Sequence, residues 1–297
     1  MKKRSDVKNK KPKITVFSII LFTFLAIYAF SLIVLFLWGL MSSFKSPNEF
    51  RINTYGLPKE WVWNYGVVLS KYSLPVNTPD GTIYVGIAKQ FVNAIYYAFG
   101  CSFVQTFTQF IVAYACARFG FKFSKVIYTT VIIVMIIPIV GSLPSEIQMA
   151  KNFGLYDSIW GLYVMKLNFL GIYFLVFYSI LKSLPKTFTE AAKIDGAHNF
   201  TIMLKIIFPL TITTFATILL LNFIAYWNDY QVPLIYLPSY PTIALGLFRM
   251  GTSSDNTLVK VPMRMASAML VFMPILIVYI FTNKRLLGNL TAGGIKG

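Results

Sequence analysis

Two carboxylates, Glu190 and Asp195, lie in a short polar stretch, residues 185–209, between two strongly apolar segments. Three small residues accompany them, namely Ala191, Ala192 and Gly196. Side chains this small leave room for the backbone or side chains of another molecule to approach closely, and the carboxylates would offer that molecule negative charge. The chemistry predicted for this stretch is therefore the docking of a partner.

The spacing of residues within this stretch predicts a short helix. Thr187 followed by Glu190 is a capping box, in which each side chain takes up a backbone N–H of the other residue, so the helix is expected to begin at Phe188. Gly196 is expected to end it, because glycine most easily adopts the left-handed conformation that follows a helix. A generic amphipathic surface helix would explain the same residues without any partner.

Motifs for catalysis or metal binding are absent from the sequence. It contains no phosphate-binding GxxxxGKS/T motif and no evident Ser/His/Asp set or pair of catalytic carboxylates. Cys101 and Cys116 would be about 22 Å apart on one helix, too far for a disulfide bond. The single histidine, His198, is interpreted as a solvated loop residue. The sequence thus predicts neither an enzyme nor a metal site.

Composition places these residues in a membrane protein. Hydrophobic residues make up 57% of the 297, charged residues only 12%, and the mean hydropathy is +0.66, values typical of an all-α polytopic membrane protein. The net charge of +17 comes from basic residues in short segments beside apolar spans. Such residues set orientation in a membrane, so nucleic-acid binding is not expected.

Six transmembrane helices are predicted within a permease domain at 14–282, flanked by a basic N-terminus at 1–13 and a tail at 283–297. The spans are expected at about 14–41, 86–117, 126–144, 158–181, 206–226 and 262–282. The first apolar run has 28 residues, too many for a signal peptide, and should remain as a helix.

Basic residues predict the orientation of these spans. Seventeen of the 27 lie at the N-terminus, in the loops near 118–125 and 182–205, and in the tail. Because cytoplasmic loops carry the excess of Lys and Arg, both termini and the stretch 185–209 are expected in the cytoplasm.

The predicted second span separates into two faces at about 100° per residue. One half carries the polar and small residues Gln90, Asn93, Ala94, Ala98, Cys101, Ser102, Gln105, Thr108 and Gln109. The other half carries Phe99, Phe103, Phe107 and Phe110, which are expected to face lipid. Since amides are costly in hydrocarbon, the polar half either lines an aqueous path or holds neighbouring helices together.

Two further places offer residues for such a path. The end of the fifth span carries Asn222, Tyr226 and Asn228, which would suit a carbohydrate path through hydrogen bonding and ring stacking. An interfacial aromatic belt would explain Tyr226, Trp227 and Tyr230 equally well. Lys166 lies inside the fourth span, where it either snorkels outward or lines a substrate route.

The polar stretch resembles a family signature: Glu190-Ala191-Ala192, three residues, Gly196, nine residues, Ile206, one residue, Phe208-Pro209. This is similar to the EAA motif of the membrane subunits of bacterial binding-protein-dependent ABC importers, with Phe208 where leucine is usual. Segments at 113–125, 151–163 and 291–297 extend the likeness toward the carbohydrate-type, maltose-importer-like subunit.

The resemblance implies the ABC type I importer permease fold in a bacterial plasma membrane. The helix would be a coupling helix in which Glu190, Ala191, Ala192, Asp195 and Gly196 contact a dimer of cytosolic ATP-binding subunits. A second related permease and an extracellular solute-binding protein that delivers a sugar or oligosaccharide would complete the complex. No cofactor is expected in this chain, since ATP and Mg²⁺ would bind in the partner ATPase.

Three other functions remain open from the sequence. The solute could be an amino acid or peptide. The chain could be a secondary transporter or channel that works without an ATPase, although Lys166 is its only clear intramembrane ionisable candidate. It could also be a membrane assembly factor whose loop recruits a partner.

Overall fold

The computed structural model describes residues 15–78, 81–119, 121–137, 140–253 and 255–290, with the backbone alone for 283–290. The helices are α1 (Val16–Ser42), α2 (Pro47–Ile52), α3 (Asn64–Lys71), α4 (Ile87–Arg118), α5 (Ser124–Ile136), α6 (Leu143–Asn152), α7 (Ile159–Met165), α8 (Ile172–Ser183), α9 (Thr187–Ile194), α10 (Asn199–Ile202), α11 (Phe208–Asn228), α12 (Gln231–Tyr236), α13 (Ile243–Met250) and α14 (Val261–Leu290). Two strands, β1 (Ser73–Thr78) and β2 (Gly81–Gly86), lie between α3 and α4.

Four helical segments are long and apolar enough to cross a membrane: Val16–Ser42, Ile87–Arg118, Asn199–Asn228 and Val261–Thr282. The predicted third and fourth spans differ from this pattern. The third ends at Ile136 instead of 144, and at 13 residues it is about 20 Å long, shorter than the roughly 30 Å hydrocarbon layer.

The predicted fourth span, 158–181, is broken into α7 and α8 instead of forming one helix. The chain leaves the helix at Lys166 and re-enters it after Gly171, whose φ of +148° is accessible chiefly to glycine. An irregular segment at membrane depth is tolerated where other helices or a cavity satisfy its backbone.

The β-hairpin corrects the prediction of an all-α chain. β1 and β2 pair antiparallel, with Leu74 opposite Val85 and Val76 opposite Ile83. In β1, Leu74 and Val76 are buried while Pro75 and Asn77 are exposed, the alternation expected of a strand with one covered face; in β2 only Val85 is buried. Positions 79 and 80 of the hairpin turn lie outside the described residues.

α4 lies at the centre of the bundle and packs against α8 and α11. Phe110 on α4 is fully buried, with its ring centre 5.4 Å from that of Phe177 and 5.6 Å from that of Phe208. The prediction that Phe110 faces lipid is therefore wrong, because α8 and α11 cover this end of the helix. Phe99 and Phe103 are exposed as predicted.

The fifth apolar segment begins at Asn199, earlier than the predicted 206, and contains one π-helical turn, Met203–Ile207. Pro209 follows this turn. A proline ring inside an α-helix clashes with the carbonyl four residues earlier, and a wider turn relieves that clash. The sixth apolar helix likewise continues to Leu290, beyond the predicted 282.

α1 is exposed along most of its length and packs on α14 only near its C-terminal end. There the ring centres of Phe36 and Phe272 are 5.1 Å apart. A Cβ at Gly39 would lie 3.1 Å from Met269 Cε, so the two helices approach closely at this glycine. Residues 16–37 of α1 thus present an apolar surface to their surroundings.

Candidate functional site

α9 begins one residue earlier than predicted and lacks the capping box. Lys186 is its N-cap, no side chain caps the helix, and the Lys186 carbonyl accepts the N–H groups of Thr189 and Glu190 at 2.9 and 3.0 Å. The helix therefore starts at Thr187. Glu190 lies in the first turn, where its negative charge is stabilised by the positive end of the helix dipole.

The C-terminal end of α9 is fixed by backbone hydrogen bonds across Gly196. Gly196 has φ of +80°, as predicted for the residue that ends the helix. The N–H of Ala197 donates to the Ala192 carbonyl at 2.9 Å, and that of Gly196 to the Lys193 carbonyl at 3.0 Å. These two bonds form a Schellman motif, which sets the direction in which the chain leaves the helix.

The inner face of α9 is held against the bundle by Ala192. Its side chain is 7% exposed and belongs to the core cluster that contains Ile202 and Ile207. Because Ala192 is covered by this chain, it lies behind the predicted docking surface rather than on it. α9 is thus attached directly to the start of the fifth apolar segment.

The outer face of α9 carries the other predicted docking residues. Glu190, Ala191, Asp195 and Gly196 are all exposed. Sequence reasoning missed Ile194, which is 86% exposed beside them. A large apolar residue flanked by charged ones on a short amphipathic helix was the signal that could have identified it.

Phe200 lies just beyond this surface, at the start of the following helix, and is 66% exposed. His198 is exposed in the connection, in agreement with its interpretation as a solvated loop residue. The hydroxyl of Tyr114, at the end of α4, donates to the Asn199 carbonyl at 3.5 Å. This contact links the connection after α9 to the central helix.

Gln105 and Tyr226, two of the predicted path residues, meet across α4 and α11. The Tyr226 hydroxyl donates to Gln105 Oε1 at 2.5 Å. Lys166 approaches the same tyrosine, with its Nζ 5.4 Å from the ring centre. Lys166 thus lies among helices, as expected for a residue that lines an internal cavity.

A cavity of about 430 Å³ opens beside these residues. Its polar lining comes from Gln105, Glu146, Lys166, Asn168, Gln231 and Tyr236. The break between α7 and α8 contributes Lys166 and Asn168 to this lining, so the irregular segment borders a polar space. We refer to it as the Gln105 cavity.

Gln109 on α4 and Asn222 on α11 each lie about one helical turn from the Gln105–Tyr226 pair. Asn222 Nδ2 donates to Thr106 Oγ1 at 2.9 Å, an interhelical bond that suits the role of packing glue. Gln109 is 1% exposed, and its buried Oε1 has no hydrogen-bond partner among the described residues. A Cβ at Gly171 would lie 3.4 Å from Gln109 Nε2, so the break before α8 lies against this amide.

Asn93 and Asn228 lie apart from the Gln105 cavity. Asn93 is buried near the hairpin and donates through Nδ2 to the Pro241 carbonyl at 3.1 Å. Asn228 is exposed and donates to the Ile224 carbonyl of its own helix at 2.8 Å. The structure thus brings together only some of the residues predicted to line a path.

Two aspartates that sequence reasoning missed organise the segments beyond α11. Asp229 accepts the Tyr97 hydroxyl at 2.7 Å and, through its other oxygen, the Gln231 N–H at 2.9 Å. Asp157 accepts the N–H and the hydroxyl of Ser239 at 2.9 and 2.6 Å. The bonds to Tyr97 and Ser239 join residues distant in sequence, so spacing along the chain could not have identified them.

No group of three or more His, Cys, Asp or Glu side chains in the described ranges is placed to hold a metal ion. Cys101 and Cys116 are both buried as free thiols.

Residues 109–287 match the family described as "Binding-protein-dependent transport system inner membrane component". The chain is 25% identical to the diacetylchitobiose uptake system permease protein NgcG of Streptomyces coelicolor, over 94% of this chain and 89% of the relative. It is 27% identical to the galactooligosaccharides transport system permease protein GanQ of Bacillus subtilis, over 99% of both chains.

A solved structure shares the fold. One chain of a bacterial ABC transporter involved in the import of the acidic polysaccharide alginate superimposes with a TM-score of 0.74 and 21% sequence identity. The match covers 92% of the present chain and 99% of the other.

Proposed function

The chain belongs to the family of inner membrane components of binding-protein-dependent transport systems, and we propose that it forms one of two related permease subunits in an ATP-driven importer of a sugar or oligosaccharide. It is a membrane-embedded subunit and not an enzyme in its own right. Several similar proteins are permeases of oligosaccharide uptake systems, which supports a carbohydrate as the solute.

The exposed face of α9 is the single observation that carries the coupling role. Glu190 and Ala191 on α9, and Asp195 and Gly196 in the turn that follows it, are all exposed beside the apolar Ile194. A cytosolic ATPase subunit would receive this face, with Glu190 as a charged contact and Ala191 and Gly196 as points of close approach. ATP and Mg²⁺ would bind in the ATPase rather than in this chain.

α9 would transmit motion because its C-terminal half is anchored twice. Ala192 packs into the bundle, and the Schellman motif fixes the turn into Asn199–Asn228. A rigid-body shift of α9 would therefore move the segment that carries Tyr226. Preferential binding of ATP to the closed ATPase dimer would supply the free energy that biases the path toward one side of the membrane.

The Gln105 cavity supplies a place where a sugar could be held along its path. Carbohydrates present many hydroxyl groups, and the amides of Gln105, Asn168 and Gln231 with the charged groups of Glu146 and Lys166 offer matching donors and acceptors. A solute-binding protein on the outer side would deliver the sugar.

Six membrane crossings follow if α5 and α8 complete the set begun by the four long helices. Both are apolar but short, so the crossing that contains α8 would also need α7. The basic residues at the N-terminus, near 118–125 and 182–205 and in the tail support a cytoplasmic location for α9 and both termini under the positive-inside rule. The exposed length of α1 would face lipid and the second permease.

The proposal can be tested on the full chain purified from its native cells through an affinity tag. A stoichiometric ATPase and a second permease should co-purify, and reconstituted liposomes should hydrolyse ATP faster when binding protein and oligosaccharide are added. Uptake that proceeds without any ATPase would contradict the proposal and favour a secondary transporter. If only amino acids or peptides stimulate ATP hydrolysis, the transported solute is an amino acid or peptide and not a sugar.

A further inference from the structure

A groove with two lysines lies between the start of α5 and the end of α8. It has a volume of about 470 Å³ and is lined by Phe121, Ser124, Lys125, Tyr128, Tyr178 and Lys182. We call it the lysine groove. None of its lining residues is acidic, so it concentrates positive charge that this chain leaves exposed at both lysines.

Aromatic rings hold the floor of the lysine groove in place. The ring centres of Tyr128 and Tyr178 are 4.7 Å apart, and the Tyr178 ring in turn stacks at 6.2 Å on Phe174, which is fully buried. Lys182 Nζ lies 5.4 Å from the centre of the Tyr178 ring. This cation–π contact positions the ammonium group of Lys182, whose N–H groups can still donate to an anion.

The start of α5 is also fixed, which positions the second lysine. Ser124 Oγ donates to the Cys116 carbonyl at 2.6 Å and joins the beginning of α5 to the end of α4. Lys125 follows immediately on the exposed side. Two cations from different helices therefore face one groove, an arrangement that suits a phosphate group better than a single surface lysine does.

The surroundings of the lysine groove are those of a membrane interface. Phe121 and Phe123 in the preceding connection are 38% and 69% exposed and alternate with lysines. Beyond the groove, the outward face of α5 is mainly apolar, with Val126 58%, Ile133 47% and Ile136 73% exposed around the exposed Thr129. A molecule bound here would meet positive charge at its head and hydrocarbon-like surface along its length.

We propose that the lysine groove binds the phosphate headgroup of an anionic phospholipid, whose acyl chain lies along the Val126, Ile133 and Ile136 face of α5. Basic pockets at the ends of membrane helices are suited to such headgroups. The apolar face favours a lipid over free phosphate, which would use the lysines alone. None of the residues that line this groove lies on α9 or borders the Gln105 cavity, and the proposal needs no assumption about the transported solute.

Native mass spectrometry of the full chain in neutral detergent, titrated with phosphatidylglycerol or phosphatidylcholine, tests the site. We expect tighter binding of phosphatidylglycerol, weakened about fivefold by Lys125→Gln or Lys182→Gln and more than tenfold by both together. Lys122→Gln is the matched control, because Lys122 carries the same charge in the same connection but does not line the groove. Unchanged elution and thermal unfolding would show that the variants remain folded.

Three results would overturn the proposal. Equal loss of lipid with Lys122→Gln would mean general attraction to the basic connection rather than a site. Displacement of phosphatidylglycerol by millimolar inorganic phosphate would identify a phosphate site without lipid selectivity. If phosphatidylglycerol binds the chain alone but not the chain in complex with the second permease, the groove is a contact between membrane subunits.

Discussion

The backbone N–H of Ala197 donates to the carbonyl oxygen of Ala192 at 2.9 Å, across Gly196 in the left-handed conformation. Ala192 is also the residue through which α9 packs into the bundle. One short segment therefore anchors the helix, reverses the chain and starts the next helix. This geometry makes α9 a rigid element rather than a flexible loop.

Gly196→Val should weaken coupling to the ATPase. A side chain at φ of +80° is strained by about 1–3 kcal/mol, and it would stand on the exposed face beside Asp195. We expect reduced co-purification of the ATPase and lower substrate-stimulated hydrolysis. Gly141→Val is the matched control, because Gly141 has φ of +83° and, as at Gly196, an added Cβ would meet no atom within 4 Å, but Gly141 lies between α5 and α6. Equal loss of ATPase in both variants would indicate general instability.

Ala192→Leu and Ala191→Leu should separate packing from docking. Ala192 is buried, and adding bulk to a packed core typically costs about 1–3 kcal/mol, so Ala192→Leu should lower the thermal unfolding temperature. Ala191 is exposed, so Ala191→Leu should leave that temperature unchanged and reduce ATPase binding. If the two variants behave alike in both assays, the two faces of α9 have been assigned incorrectly.

Tyr226→Phe should impair import through loss of its hydrogen bond to Gln105. That bond, at 2.5 Å between α4 and α11, contributes about 1 kcal/mol. We expect a several-fold rise in the sugar concentration that half-saturates uptake. A double-mutant cycle with Gln105→Ala should show coupling of about 0.5 kcal/mol or more.

Asn228→Ala is the control for this pair, because the Asn228 amide bonds only to its own helix at Ile224 among the described residues. Its uptake should match that of the unaltered chain. Strictly additive effects of the Tyr226 and Gln105 changes would argue that the two side chains act independently in transport.

Asp157→Ala should loosen the segment around Ser239. Asp157 accepts two hydrogen bonds from Ser239 and has φ of +54°, a conformation that Asp tolerates better than Ala. Loss of hydrogen bonds to a charged group costs about 1.5–3 kcal/mol. Limited proteolysis near Ser239 should accelerate and the unfolding temperature should fall. Asp157→Asn keeps one acceptor oxygen and should be milder; an equal effect of both variants would point to charge alone.

The break in the predicted fourth span is a feature that hydropathy along the sequence did not predict. Hydropathy treats 158–181 as one apolar run, yet the chain leaves the helix between Lys166 and Gly171. Gln109 lies against Gly171 from another helix, and that neighbour is distant in sequence. Periodicity within the run carries no information about it.

The sequence by itself determined the membrane class, the approximate places of the apolar segments and the end of α9 at Gly196, because these depend on local composition and on the conformational freedom of one residue. Only the tertiary structure decided which faces are covered. Ala192 points into the bundle while Ala191 does not, and Phe110 is buried while Phe103 is exposed. The reason is physical: the burial of a side chain is set by residues that pack against it from other helices, and neither spacing nor hydropathy along one helix records those contacts.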